Sequence, residues 1–453
     1  MSDPTGKIVT RFAPSPTGFL HAGTYRTAIF SYLYAKKNNG TFVLRIEDTD
    51  KERSKKEFED NILESFKWLG ISHDLFVRQS ENMERHKQVL EKMIAERHAY
   101  ISKEEAKDGS GQIRELVRFK NPNSDVTFQD EIKGSVTMHT GDLGDFVIAK
   151  NISEPLFHLA VVVDDFDEGV THVIRGEDHV SNTPRQILIQ RAIGATTPIY
   201  AHLPLVLGID KKKLSKRRGA LALTEYRKLG YLPQAILNMV SLVGWNPGTD
   251  QEIFSINELI SAFDLSKVQK SAAIFNPEKL EWINKEHMKL IPVEELFAMI
   301  RLYLPTSISE LRGYSENMLQ LVSPIITEHI THLDQIREMA EGGELTYYFQ
   351  SPDYPKEKLF WKQENDAPTL IKRLSKTKEL LSVLAEDAFG KDEVKSALWN
   401  YAEEEGRGQV LWPLRYALSG KDKSPDPFQL AAILGKEETL KRTQEAIRKF
   451  NEA

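Results

Sequence analysis

The chain has 453 residues, no cysteine and a formal net charge of −6. The missing cysteines rule out disulfides and a thiolate zinc site, and the negative balance means that a nucleic-acid partner must be met by a local basic surface. No apolar run nears the ~20 residues of a membrane helix, the N-terminus lacks the basic and apolar regions of a signal peptide, and the length suits about three domains of roughly 150 residues.

In chain order, residues 7–13 read as a first strand and 25–37 as a first helix, whose apolar residues Ala28, Ile29, Tyr32, Leu33 and Ala35 have helical spacing. The strand-to-helix stretch between them, from Arg11 to Thr24, places His21 and Gly23 at a helix start. Free backbone N–H groups and the positive end of the helix dipole suit a phosphate there. Pro14 and Pro16 stiffen this loop, and Gly18 and Gly23 admit close approach of a ligand. A second strand, Thr41 to Glu47, delivers acids to its C-terminal end, the edge where open α/β sheets bind ligands. Glu47 is expected to face the cleft and bind a substrate amine, whereas Asp48 and Asp50 read as turn residues feeding a helix over 53–69 that Gly70 ends.

A further helix is expected near 82–97. Short strand-like pieces at 116–119, 126–128, 135–138 and 146–150 then read as a small α+β insertion. The run Leu159–Val163, stopped by Asp164-Asp165, reads as a buried parallel strand, and Val170–Ile174 and Ile199–Leu207 read as two more. Thr183 is expected to cap the helix that Pro184 opens. Asp164, Asp165 and His179 read as turn-stabilising residues, because no set of ligands has metal spacing. In Lys211–Gly219, six of nine residues are basic. Alone this is a nucleic-acid patch or a solvated run; together with the Arg11–Thr24 loop it reads as a cationic loop closing over a triphosphate. From Leu221 onward the chain reads as helical.

The pairing of two motifs carries a resemblance. His21-Ala22-Gly23-Thr24 resembles the first signature of class I aminoacyl-tRNA synthetases, and Lys213-Leu214-Ser215-Lys216-Arg217 resembles the second. Their flanks, Arg11 to Gly18, Arg45 to Asp50, Val173 to His179, Gly230 to Ala235 and Gly408 to Gly420, look like the bacterial-type glutamyl-tRNA synthetases over nearly the whole chain.

The resemblance implies an α/β Rossmann-type catalytic domain in two halves (1–99 and 157–210), an inserted acceptor-binding domain (100–156), a stem-contact region with the Lys-Leu-Ser-Lys-Arg loop (211–305) and an all-helical anticodon-binding part (306–453). It implies that L-glutamate and MgATP give glutamyl-adenylate and pyrophosphate, and that the glutamyl group passes to the terminal adenosine of tRNA(Glu). A cytoplasmic monomer is expected, with ATP and substrate-bound Mg2+ and no metal or zinc site of its own. By the same resemblance His21, Gly23, Lys213 and Lys216 are catalytic. Ser215 joins them at ATP, with Asp178 at the ribose. Arg11, Ala13, Ser15, Glu47, Phe157 and Arg175 surround glutamate, Arg11 taking the side-chain carboxylate and Glu47 the α-amino group. Which carboxylate Arg175 meets stays open.

An arginine suits this task, since a guanidinium pairs a carboxylate through two hydrogen bonds. Glutamine would leave the buried charge uncompensated at about 3–5 kcal/mol, roughly a hundredfold to a few thousandfold. Three positions depart from the family pattern. Phe157 stands where many members have Tyr. The insertion near Tyr100 lacks the cysteines that bind zinc in some members. His329 aligns by eye with an Arg that reads the anticodon in members charging only glutamate tRNA, which leaves tRNA(Gln) open as a second substrate. Glutaminyl-tRNA synthetase and a tRNA-modifying paralogue are the nearest rivals. The first carries β-barrel anticodon domains and the second lacks the C-terminal third.

Overall fold

The structure is a computed structural model describing residues 6–20, 22–105, 112–212, 214 and 221–451. It falls into two compact units, Met1–His287 and Met288–Ala453.

The first unit is built on a sheet whose central strands are buried on both faces, as parallel strands between helices must be. β1 (Val9–Phe12) is followed by α1 (Ala22–Lys37), β2 (Thr41–Ile46), α2 (Lys56–Leu69), β3 (Leu75–Arg78) and α3 (Met83–Ala95). All of β1 is buried, and in β2 only Thr41 is not. At the α1–β2 turn, Gly40 passes so close to Ile8 that a Cβ there would strike the Ile8 carbonyl oxygen. Gly70 ends α2 in the left-handed conformation (φ 71°), its N–H returning to Lys67 O and Phe66 O.

The chain then lays down β4 (Ala99–Glu105), β5 (Ile113–Phe119), β6 (Asp125–Asp130), β7 (Gly134–His139), β8 (Phe146–Asn151) and β9 (Glu154–Pro155). Strands β4, β5, β8 and β9 form their own antiparallel sheet. The β6–β7 hairpin does not join it. It extends the main sheet, whose order runs β3-β2-β1-β10-β11-β6-β7 once β10 (His172–Gly176) and β11 (Ile199–Leu203) are added. Strand β1 pairs in parallel with both β2 and β10, so the order reverses beside it and opens a crevice past the strands' C-terminal ends.

Four expectations are corrected here. The run Leu159–Val163 is not a strand; it lies in α4 (Phe157–Asp167), a helix whose residues 159–165 are all buried. A short apolar run fits a buried helix as well as a buried strand. Asp164 and Asp165 are therefore buried helix residues rather than turn residues. In α5 (Thr183–Ile193) the capping position is Asn182, not Thr183, and Thr183 is the first helical residue. The strand expected over 199–207 breaks at Pro204 into β11 and β12 (Val206–Leu207).

Beyond residue 220 come α6 (Leu223–Lys228), α7 (Pro233–Leu242), α8 (Ile256–Ala262), β13 (Ala273–Ile274) and α9 (Pro277–Met288). β13 pairs in parallel with β12, a strand the helical reading missed. The second unit is helical among the described residues. Helices Ala367–Ser382, Arg407–Ser419 and Pro427–Asn451 enclose a core of Leu370, Leu374, Tyr416, Ala417, Ala446 and Ile447.

Candidate active site

The crevice between the C-terminal ends of β1 and β10 holds a cavity of about 370 Å³. Eight residues expected at the site line it: Arg11, Ala13, Ser15, Gly23, Glu47, Phe157, Arg175 and Asp178. Val161 and Leu214 complete part of the apolar wall. His21, Lys213, Ser215 and Lys216 lie outside the described residues.

The loop after β1 is held in place by backbone bonds. Glu47 N–H donates to Pro14 O at 3.0 Å and Lys55 N–H to Pro16 O at 3.0 Å. That fixes Ala13 and Ser15 against the end of β2 and sets Glu47 just past the strand, 7% exposed. Asp48 and Asp50 hold the following turn. Asp48 accepts from Ser80 N–H and Oγ–H at 2.8 and 2.6 Å, and Asp50 accepts from Arg53 Nε at 2.7 Å.

Beneath the cavity lies a buried ionic cluster. Arg45, fully buried on β2, donates to Asp165 at 2.8 Å, to Glu168 at 2.7 Å and to Glu47 at 3.3 Å. Asp165 also accepts from Arg11 Nε at 3.2 Å, so it joins both arginines. Only the Nε edge of Arg11 is engaged among the described residues, which leaves its terminal nitrogens for a ligand. Asp164, one residue earlier, meets His86 at 2.7 Å, Gln79 at 2.8 Å and Asn82 at 2.9 Å. Burial raises the Glu47 carboxyl above its ordinary range, with Arg45 and Arg11 working against it. Burial pushes Glu168 up to about 7 despite Arg45.

Arg175 approaches the cavity from β10. Its Nε donates to His202 Nε2 at 3.1 Å and its Nη2 to Thr183 Oγ1 at 2.7 Å. Among the described residues no carboxylate pairs with it, and burial lowers its pKa to about 10. The Phe157 ring packs on His158 and His179 at centroid distances of 5.4 and 5.8 Å. Burial holds His179 down to about 4, so it is neutral at pH 7.

The sequence reading missed Arg45, Asp165, Thr183 and His202 as parts of this site. Helical spacing was the available signal. Phe157, Val161 and Asp165 are four residues apart, on one face of α4.

The cavity therefore presents the guanidiniums of Arg11 and Arg175 with the Glu47 carboxylate, and Asp178 and Arg26, the latter donating to Pro204 O at 2.7 Å, also line it. Two family models match the chain. That of the class I tRNA synthetases (E and Q), catalytic domain, covers residues 7–109 and 101–282, and that of an anticodon binding domain covers 295–447. The glutamate–tRNA ligase of Aquifex aeolicus (strain VF5) is 39% identical, across 98% of this chain and 100% of its own. That of Carboxydothermus hydrogenoformans is 37% identical across 96% and 98%. Among solved structures, a glutamate tRNA ligase from Elizabethkingia meningosepticum in complex with its amino acid superposes with a TM-score of 0.84, at 30% identity over 98% of this chain and 99% of that one. With both domains matched and relatives alike from end to end, the chain belongs to the glutamate–tRNA ligases of the class I tRNA synthetases.

Proposed function

We propose that this cavity binds L-glutamate and that the chain activates it with MgATP for transfer to tRNA(Glu). The observation carrying the reading is the grouping of Arg11, Arg175 and Glu47 in one cavity, which matches the two carboxylates and one ammonium of glutamate and leaves the Asp178 carboxylate for the nucleotide. Arg11 takes the side-chain carboxylate through its free terminal edge, and Glu47 takes the α-amino group. The other carboxylate falls within reach of Arg175 until its oxygen attacks the α-phosphorus of ATP and pyrophosphate leaves. The cationic residues Lys213 and Lys216, with His21, Gly23 and Ser215, stabilise charge on the phosphates, and Asp178 holds the ribose. The terminal adenosine's 2′-hydroxyl then attacks the acyl-adenylate and AMP leaves. The segments are assigned as catalytic halves (1–99 and 157–210), acceptor-binding insertion (100–156), stem contact (211–305) and anticodon binding (306–453), with the β6–β7 hairpin of the insertion extending the main sheet. The chain works as a cytoplasmic monomer, and no helix among its described residues is long and apolar enough to cross a membrane.

The deciding experiment is transfer of labelled glutamate onto purified tRNA(Glu) and, separately, tRNA(Gln). Charging of tRNA(Glu) alone is the result for a discriminating enzyme. Charging of both means that His329 stands where a selective arginine would reject tRNA(Gln). Charging of neither, with ATP and magnesium present, overturns the reading. Within it, Lys216→Ala cuts pyrophosphate exchange sharply while tRNA affinity holds; unchanged exchange removes that loop from the chemistry.

A further inference from the structure

Arg175 would face two problems if left alone. A guanidinium on a flexible stem has many rotamers, and a buried one without a carboxylate has nothing of opposite charge to fix it. Among the described residues its two hydrogen bonds go to neutral partners, His202 and Thr183, and its guanidinium lies over the neutral Tyr200 ring at 5.3 Å.

His202 sits on β11, fully buried. Arginine Nε can only donate, so His202 Nε2 must be the acceptor and its proton must sit on Nδ1. That proton is given to Asp130 Oδ2 at 2.6 Å. Asp130 ends β6, and its own position is fixed by accepting four hydrogen bonds. Besides the imidazole these come from the His202 backbone N–H at 3.1 Å, Ile132 N–H at 2.9 Å and Lys133 N–H at 2.7 Å. Burial alone would push the Asp130 carboxyl up, but these donors outweigh it and keep it ionised. Burial lowers the His202 imidazolium, with Asp130 opposing and Arg175 assisting, so the ring stays neutral. Tyr200 stacks beside it at 5.8 Å between centroids and Phe128 meets it edge-on at 6.2 Å, which leaves the ring no room to turn.

We propose that His202, oriented by Asp130, is the positioning residue that aims the Arg175 guanidinium into the amino-acid cavity, with Thr183 as its second anchor. A carboxylate in place of His202 would neutralise Arg175 and compete with the substrate. A neutral acceptor fixes its geometry and leaves its charge for the ligand. The carboxylate that sets the tautomer comes from the β6–β7 hairpin, so this inserted hairpin shapes the amino-acid cavity although it contributes no lining residue. The inference rests on the reading of that cavity as a glutamate site.

The test uses the full chain, its cognate tRNA, ATP and glutamate in pyrophosphate exchange. His202→Asn keeps a nitrogen near Asp130 but loses the acceptor for Arg175. His202→Gln places its amide oxygen near the old Nε2 and keeps that acceptor. His202→Asn is expected to raise the glutamate KM roughly tenfold to a hundredfold, the range for a lost hydrogen bond to a charged group. Its kcat and ATP KM stay within about twofold, and His202→Gln recovers most of the loss. An unchanged glutamate KM in His202→Asn, a kcat loss without a KM change, or a His202→Gln as impaired as His202→Asn overturns the proposal. If His202→Asn does not fold, Thr183→Ala, which removes the second anchor together with the Thr183 contacts to His179 O and His202 Nε2, decides by the same KM readout. A wild-type chain that exchanges no pyrophosphate with glutamate instead defeats the functional reading itself.

Discussion

Asp165 accepts from Arg11 and from Arg45, and Arg45 in turn reaches Glu47, so one carboxylate at the base of α4 orders both charge types that the cavity shows. Removing its charge leaves the buried Arg11 without its carboxylate partner, whereas Arg45 keeps Glu168 and Glu47. Asp165→Asn is therefore expected to cost about 3 kcal/mol, as for breaking a buried ion pair, and to raise the glutamate KM as well. Urea unfolding and steady-state kinetics on the same preparation check both effects. Phe157 supplies the opposite case. Its ring is 39% exposed at the cavity wall, and Phe157→Tyr adds a hydroxyl without displacing core atoms. The glutamate KM is expected to fall severalfold while the melting temperature stays put. At this scale the residues that line the cavity were legible, because each lies in a motif at the end of a strand. The residues that hold them were not. Thr183 and His202 act on Arg175 across sequence separations of 8 and 27 residues that no local pattern reports, and Asp165, 154 residues from Arg11, shares a face with Phe157 and Val161 only once α4 is read as a helix.

Helix α4 shows why an element can be placed correctly and typed wrongly. Its apolar residues run without a break from Leu159 to Val163, because residues 159–165 are buried on every side of the helix. Amphipathic period is lost when no face meets water. Asp164 and Asp165 then read as a strand stop, which hides the ionic cluster. By contrast α2 was legible in both period and ending, since one face meets solvent and Gly70 closes it. That ending is testable. Nothing lies within 4 Å of a Cβ built at Gly70, so Gly70→Ala meets only the cost of a left-handed backbone. A loss of about 1 kcal/mol is expected in chemical unfolding, with glutamate kinetics unchanged.

Over the whole molecule, acid is expected to destabilise the fold before the ordinary carboxylates titrate. Burial holds His158, His172 and His179 down to about 4 from 6.5. Their contribution is complete above about pH 6.5 and is lost as the pH falls toward 4, because the unfolded chain takes up protons that the folded one refuses. Glu168 opposes them. Raised to about 7, it binds its proton earlier when folded and adds stability as the pH falls from 7. Glu47 is raised as well, but with His202 and His287 also lowered by burial five histidines outweigh the two carboxylates, even with partly exposed His179 discounted. The melting temperature is therefore expected to drop by several degrees between about pH 7.5 and 5, followed by circular dichroism. Equal melting temperatures would mean that the opposing shifts cancel.

The central strand also sets a schedule for synthesis. Thr10 on β1 pairs with His172 on β10, so one edge of β1 waits for a partner 162 residues downstream. At about 5–20 residues per second, the ribosome needs roughly 8–30 s to deliver it. During that interval β1 and β2 can pair on the emerging chain, but the far edge of β1 stays open, and open strand edges are what other chains add to. The order of the sheet thus makes the nascent chain's first half a client for whatever shields unpaired strands near the exit tunnel. A ribosome-bound fragment ending before residue 172 should aggregate on release, and one long enough to free β11 should not.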